Sequence, residues 1–493
     1  MSVVKKLASD TVVYGLSSII ARVINFLFGF LIIKFVTQEE FGIYTNFYAY
    51  AGFILIVLTH GMETAFFRFI NKEGENKQVF ATAFYSVLIA VVLFILFAFG
   101  FQNSISNFVK ESHLFIQLFA LIMSFDALAA IPFAKLRADN RPLQFAFLKI
   151  LNIVFFIGLC LVFFYNVINV STITFGWIDN TVSTVSYIFI ANLFASLLTL
   201  VCLIPKLSAI KFGFNLSLHK KMFVYALPIM LIGLAGMVNQ MLDRVIMVHL
   251  LPYDDVTNKV QLGIYGFNYK FAMIISMFLQ AYRYAAEPIF FKAAQQADNK
   301  QVYARTMLFF VICACVIFLL INLFMPIIQQ LFLWYSPNAK AYFVGAKIIP
   351  ILLAAYLCFG MYFSNITWYK IKTNLYLMQS FIAGAVITIV LNIILVPKLG
   401  YIGASITTFV CAFSMLLIGY ITEQKYYPIP YNLKRIALYI FTSFALYGLF
   451  LLLNQSSSLI ISTAIGFVLF TIYLLMIYFL EVKTKSSTSL KKS

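Results

Sequence analysis

The chain has 493 residues, 63% of them hydrophobic and only 11% charged, with a formal net charge of +18. A soluble domain of this length has too little interior to hide so much apolar side chain, so the composition excludes a soluble enzyme or binding module and indicates an integral membrane protein. Helices take about 20 apolar residues to cross the hydrocarbon layer, and runs of that length recur along the whole sequence. In chain order they predict about fourteen transmembrane helices: 11–33, 41–66, 79–101, 113–133, 143–165, 183–205, 222–250, 263–290, 306–330, 341–365, 374–396, 401–422, 434–453 and 457–480. The runs are continuous rather than alternating, which excludes a lipid-facing β-barrel. The expected fold class is therefore all-α.

The positive charge is sorted by loop. With the N-terminus inside, cytoplasmic segments hold clusters such as Arg68, Lys72 and Lys77, or Lys135, Arg137, Arg141 and Lys149, or Lys206, Lys211, Lys220 and Lys221. The opposite loops hold only isolated lysines: Lys34, Lys110, Lys259, Lys340 and Lys398. This bias predicts a multi-pass membrane protein with both termini in the cytoplasm. It also accounts for the basic excess through anionic lipid headgroups, with no nucleic-acid partner. Lys5 and Lys6 precede a run that carries Arg22 and lacks a small-residue cleavage site, so the first segment is expected to stay as a helix. The six cysteines fall inside apolar runs and the four histidines are scattered, so neither disulfides nor a metal site is expected.

An internal repeat organises the chain. "FGIYTNFYAY" (41–50) opens the second helix and "LGIYGFNYKF" (262–271) the eighth, after paired acids Glu39-Glu40 and Asp254-Asp255; upstream, "VVYGL" (12–16) matches "FVYAL" (223–227). Both copies begin on the same side, so the expected architecture is two six-helix bundles related by a parallel repeat, followed by two further helices. The corresponding domains are 1–205, a basic amphipathic cytoplasmic linker 206–221, 222–425, and 426–493 for the last two helices and tail.

"LPIMLIGLAGMVNQMLDRVIMVHL" (227–250), then "GIYGFNYKFA" and "AAEPIF", resembles the seventh and eighth helices of polysaccharide flippases in the multidrug/oligosaccharidyl-lipid/polysaccharide exporter superfamily. "LNIILVPKLGYIGASITTF" (391–409) is similar to that family's junction of helices 11 and 12. The resemblance implies a flippase that moves polyprenyl-pyrophosphate-linked oligosaccharide, such as an O-antigen unit for lipopolysaccharide, to the outer leaflet. Polysaccharide polymerase and export machinery are the partners it implies, beside membrane lipids.

Such cargo carries two phosphates, so a carrier needs cations facing a wet cavity. Intramembrane cations are costly unless they have such a function or a partner. The candidates are Arg22 in helix 1, Arg244 in helix 7, and Lys270 and Arg283 in helix 8. Ser18, Arg22, Asn25 and Gly29 share one helical face; Tyr269, Ser276, Gln280, Arg283 and Glu287 form a second stripe, with Asn25, Gln280 and Glu287 as supporting polar groups. Both stripes equally suit helix-on-helix packing. Asp243 and Arg244 are neighbours whose side chains leave the helix about 100° apart, so separate partners are expected, with an Asp243–Lys270 ion pair. Asp126, Asp243 and Glu63 are candidates for coupling to Na⁺ or H⁺; no bound cofactor is expected. The alternatives are a cation-coupled multidrug antiporter of the same superfamily, disfavoured because helix 1 carries Arg22 and no acid, and a lipid II flippase. A membrane polysaccharide polymerase would want a substantial outer loop with acid–base groups, whereas loop 166–182 has only Asp179 as a charge. No enzyme activity is expected.

Overall fold

The computed structural model describes residues 19–20, 22–70, 76–169, 183–207, 213–293, 299–366, 374–454 and 458–483, and the described residues are helical without a strand. In chain order they form α1 (22–31), α2 (Gln38–Thr59), α3 (Met62–Ile70), α4 (Asn76–Gly100), α5 (Gln102–Val109), α6 (His113–Ala138), α7 (Pro142–Asn169), α8 (Thr184–Leu207), α9 (Leu216–Leu250) and α10 (Asp255–Ala293). There follow α11 (Asn299–Leu323), α12 (Met325–Tyr335), α13 (Ala339–Tyr342), α14 (Ile349–Ile366), α15 (Asn374–Leu399), α16 (Tyr401–Tyr426), α17 (Leu433–Leu453) and α18 (Leu459–Ile477). Among the described residues, 13 helical segments are long and apolar enough to cross a membrane, and they coincide with the second to fourteenth predicted spans. Of the first predicted span, 11–33, residues 19–20 and 22–33 are described, and they are helical.

Backbone packing divides the chain into two units, residues 1–266 with Thr388–Gly400, and Phe267–Ile387 with residues 401–493. In the first, α6 packs on α4 and α8, α7 on α8, and α2 on α6 and α9. Phe47 of α2 lies edge-on to Phe119 of α6 and Phe189 of α8, at 5.1 and 5.2 Å between ring centroids. Lipid is as apolar as these side chains, so close packing and internal hydrogen bonds have to hold the helices together. Asn152 of α7 accordingly donates to the Thr199 hydroxyl and Ala195 carbonyl of α8 (2.9 and 3.0 Å), and Asn192 of α8 donates to the Tyr48 hydroxyl at 2.7 Å.

The two repeat-related openings meet inside this unit. A methyl on Gly42 of α2 would run into the Lys259 carbonyl of α10, and one on Gly263 into the Gln38 carbonyl. Gly42 and Gly263 hold equivalent places in the two repeat copies, as do Gln38 and Lys259, so the contact is reciprocal, as a two-fold relation requires. Thr45 and Gly266, the next equivalent pair, face each other as well. Each opening has its own N-terminal device. Thr37 and Glu40 form a capping box, with Thr37 N–H donating to Glu40 (2.9 Å) and Glu40 N–H to Thr37 Oγ1 (3.3 Å). Asp254 accepts from the Thr257 amide (3.1 Å) and hydroxyl (2.6 Å), and these bonds hold its carboxyl below the ordinary range. The α5–α6 turn, where Lys110 adopts φ 60°, ties to α10 through Lys110–Asp255 (2.6 Å) and Lys259–Glu111 (2.9 Å). Burial pushes the Glu111 carboxyl up, against the opposing pull of Lys259.

Two local features depart from expectation. The second span is not one continuous helix: His60 (φ 35°) and Gly61 (φ 73°) break it between α2 and α3. The break is satisfied by the His60 ring, whose Nδ1 lies 2.9 Å from the Leu58 carbonyl and Nε2 2.7 Å from Ser86 Oγ. Gly61 sits where an added Cβ would come 3.0 Å from the Ala226 carbonyl, so the absence of a side chain matters twice there. The segment expected as a linker, 206–221, includes the end of α8, residues 208–212 outside the described set, and the first turns of α9, which starts at Leu216 with Asn215 accepting from Leu218 N–H at 3.0 Å.

In the second unit, α14 packs on α16 and α11, and α17 and α18 pack on α11. Glycine permits close approach here too: Gly360 against the Phe310 ring, Gly419 against Tyr362 and Gly466 against Leu323. Phe318 of α11 meets Phe444 of α17 with their rings tilted and 4.6 Å between centroids. At their far end Glu481 takes Arg435 (3.2 Å) and the Tyr439 hydroxyl (2.9 Å).

Candidate functional site

Arg22 lies one turn or less from the described start of α1 and is exposed, as is Asn25; Phe28 and Gly29 turn into the unit, Phe28 against Phe156 at 5.1 Å. The expected stripe is therefore split, with its polar half outside and its glycine inside; Ser18 falls outside the described residues. Facing the same region is a cation that sequence reading placed in a cytoplasmic loop. Lys149 is instead seven residues into α7, about 10 Å along the helix, and within a membrane-spanning segment. Its Nζ lies 4.3 Å from the centroid of Phe133. It interacts electrostatically with Asp126, Glu63, Arg137 and Arg22. The predicted span 143–165 already contains Lys149, and grouping it with the loop cations Lys135, Arg137 and Arg141 is what misplaced it. The signal that could have found it is Lys149 and Asn152 at a three-residue step inside "FAFLKILN".

The acids of this cluster have defined partners. Asp126, halfway along α6, is hydrogen-bonded to Ser196 of α8 and lies in range of Lys149. Glu63, in the first turn of α3, pairs with Arg137 at 2.9 Å. Arg137 also lies 4.9 Å from the Phe67 ring. Three cations and two carboxylates thus share one polar region of the first unit, which leaves one excess positive charge when all are ionised. A dianionic group could approach such a region by engaging Arg22 and Lys149 without displacing the Glu63–Arg137 pair. Arginine can grip phosphate through two parallel N–H bonds; lysine adds a point charge.

Asp243 and Arg244 of α9 behave differently from expectation. Both are buried, at 4% and 5% exposure, and they pair with each other: Arg244 Nη1 lies 3.3 Å from Asp243 Oδ1. The Cβ vectors do diverge, but the long arginine side chain folds back along the helix, donating to the Gln240 carbonyl at 2.6 Å on the way. Asp243 Oδ1 also accepts from the Arg244 amide (2.9 Å), and Oδ2 accepts from the Tyr265 hydroxyl. Asp243 therefore takes Arg244 and Tyr265 as partners where the sequence led us to expect Lys270. Arg244 is covered rather than open to a cavity.

Lys270, Gln280 and Arg283 belong to the second unit. Lys270 and Gln280 are half-buried and Arg283 is exposed, whereas Tyr269 of the same stripe is core, its hydroxyl accepting from Tyr356 at 3.1 Å. The Glu287 side chain lies outside the described set. Among the described residues, no group of three His, Cys, Asp or Glu is placed to hold a metal ion.

The same architecture recurs in solved structures. Lipid II flippase MurJ in an inward closed conformation superposes with a TM-score of 0.71 at 13% identity, covering 95% of this chain and 99% of that one. An inward-facing multidrug resistance MATE family transporter of the MOP superfamily gives 0.56 at 15% identity, covering 88% and 96%. A MATE in complex with MaL6 gives 0.52 at 13%, covering 88% and 97%. At these identities the likeness establishes a shared fold. No curated protein matches the chain. The family model described as polysaccharide biosynthesis protein matches residues 7–294, more than half the sequence, and the chain belongs to that family.

Proposed function

We propose that this protein is a flippase that carries polyprenyl-pyrophosphate-linked oligosaccharide across a bacterial cytoplasmic membrane by alternating access. The observation that supports it best is Lys149 inside a membrane-spanning helix of the first unit, with the exposed Arg22 in electrostatic range of it. Membership in a polysaccharide biosynthesis family and a fold shared with a lipid flippase support the same reading. In it, Arg22 and Lys149 take the pyrophosphate, and Arg283 and Lys270 are further cargo contacts. The two six-helix bundles of the repeat rock around that site, both termini lie in the cytoplasm, and polymerase and export machinery receive the product. Intramembrane charge of this kind is retained where it serves transport.

Driving energy would come from Na⁺ or H⁺. Glu63 is occupied by Arg137, and Asp243 by Arg244 and Tyr265, so Asp126 is the stronger coupling group of the three. A membrane-embedded carboxylate on a MATE-like fold also suits a second reading, a cation-coupled drug antiporter. Deleting the protein and mass-analysing polyprenyl-linked glycans separates the readings. Inner-leaflet accumulation of a complete oligosaccharide unit in viable cells is the expected result. Loss of viability with accumulated lipid II would transfer the cargo to lipid II, and drug sensitivity with no lipid-linked intermediate would favour the antiporter.

A further inference from the structure

Four charged side chains of the first unit form two crossed ion pairs that play no part in holding cargo. Lys110 and Glu111 are consecutive in the α5–α6 turn, and Asp255 and Lys259 stand four residues apart on one face of α10. Lys110 Nζ lies 2.6 Å from Asp255 Oδ1, and Lys259 Nζ lies 2.9 Å from Glu111 Oε1. The turn is built stiff: Ser106 Oγ donates to the Glu111 carbonyl at 2.5 Å, the Glu111 amide to the Ser106 carbonyl at 3.2 Å, and Gln117 of α6 to Gln102 of α5 at 3.0 Å. Beside it Phe108 rests on His249 of α9, with 4.9 Å between ring centroids, and His249 Nε2 lies 3.3 Å from the Tyr50 hydroxyl of α2. Glu39, in the first turn of α2, is in electrostatic range of Glu111, and Lys259 supplies the carbonyl that meets Gly42. The pairs therefore clamp the turn onto α10 right at the α2–α10 crossing.

Their signs specify one register. Sliding α10 by one turn sets Lys110 against Lys259 in one direction and Glu111 against Asp255 in the other, so both neighbouring registers are repelled. The repeat does not impose this arrangement: at the equivalent places in the first copy, Lys34 stands for Asp255 and Gln38 for Lys259. The two pairs also differ in cover. Lys259 and Glu111 are enclosed, at 12% and 4% side-chain exposure, whereas Lys110 and Asp255 reach solvent. The enclosed pair is thus the specific one, and the open pair adds a weaker hold. Charges suit a contact that has to part, because each one regains water when the pair separates. In the orientation proposed above, this is the outer face. We propose that the crossed pairs are a latch that ties the outer ends of α2, α6 and α10 together, closed in this conformation and released when the carrier opens outward. Its place in a transport cycle rests on the flippase reading; whether it holds the crossing shut can be measured without cargo.

Thr45 of α2, buried against Gly266 of α10 at the crossing, supplies the reporter. Thr45→Cys is labelled with a membrane-impermeant maleimide on intact cells, with the same protein lacking that cysteine as the blank. Glu111→Lys should raise the labelling rate severalfold, and the charge-swapped Glu111→Lys/Lys259→Glu should bring it back down. Equal labelling in all three, or a swap as reactive as the single reversal, overturns the latch. A second arm joins Lys110→Cys to Asp255→Cys with a bifunctional methanethiosulfonate in vesicles of phosphatidylethanolamine and phosphatidylglycerol; either single-cysteine variant is a control that cannot bridge. Bridged protein should lose flipping of polyprenyl-linked glycan and regain it when a reductant cleaves the bridge. Undiminished flipping in the bridged protein would make the pairs a static tie and overturn their release. If labelling responds as expected but unbridged protein flips nothing, the latch stands and the transport reading falls.

Discussion

Arg22 and Arg244 show how the same side chain meets two different surroundings in one chain, exposed at the first and buried at the second. Arg22 is exposed on the first unit, with Lys149 in electrostatic range. Arg22→Ala should therefore abolish transport with near-normal protein levels, because an exposed side chain contributes little packing. Arg22→Lys should keep partial activity if charge suffices, and very little if bidentate geometry is needed. Immunoblotting alongside the transport assay checks this, since loss of activity that tracks loss of protein would make Arg22 a packing residue. Arg244, by contrast, is enclosed with Asp243. Removing one member of a buried pair strands the other charge, at a cost of about 3 to 5 kcal/mol. Asp243→Ala should lower the thermal unfolding midpoint in detergent well below that of the Asp243→Ala/Arg244→Leu double variant, in which both charges are gone. Equal midpoints would mean the two side chains act independently. The sequence marked all of these residues as unusual by their polarity, but could not distinguish a covered guanidinium from an open one, because that depends on Tyr265 arriving from another helix.

Helix positions were the most legible feature, since the hydrocarbon thickness imposes a length that hydropathy reads directly, and the spans from Gln38–Ile70 to Leu459–Glu481 fall where apolar runs occur. The break at His60–Gly61 was not legible: it keeps the span apolar on average, contains no proline, and is stabilised by Ser86 far away in sequence. The reciprocal crossing of α2 and α10 was half legible, as a repeated FGIY/LGIY motif whose glycines gain their meaning only when the helices touch. Gly42→Ala and Gly263→Ala should each force the two backbones apart, because the added methyl meets a carbonyl that cannot rotate away. Disulfide crosslinking between cysteines at positions 38 and 259 would check it, with efficiency falling sharply in either alanine variant; unchanged crosslinking would show that the crossing tolerates a Cβ. The nearby Lys259–Glu111 pair has its own signature. Burial raises the Glu111 carboxyl, so the folded state binds this proton more readily than the unfolded chain. Its contribution to stability therefore increases as pH falls through the raised value and is diminished above it. Glu111→Gln should flatten that limb of a melting-point-against-pH curve, and an unaltered limb would assign it to another group.

For the molecule as a whole, composition established the membrane class, and loop charge suggested the orientation. Cargo was less legible, since the same fold is shared by a lipid II flippase and by multidrug resistance transporters. The account turns on an anionic, lipid-linked cargo held by cations of the first unit. The most direct measurement is flipping in reconstituted vesicles, using the polyprenyl-pyrophosphate-linked glycan that accumulates on deletion and reading outer-leaflet exposure by an impermeant glycosidase. Wild-type protein should expose the glycan on both faces, while Arg22→Ala and Lys149→Ala, equally well reconstituted, should leave it protected. Flipping by both variants at the wild-type rate would contradict the central claim.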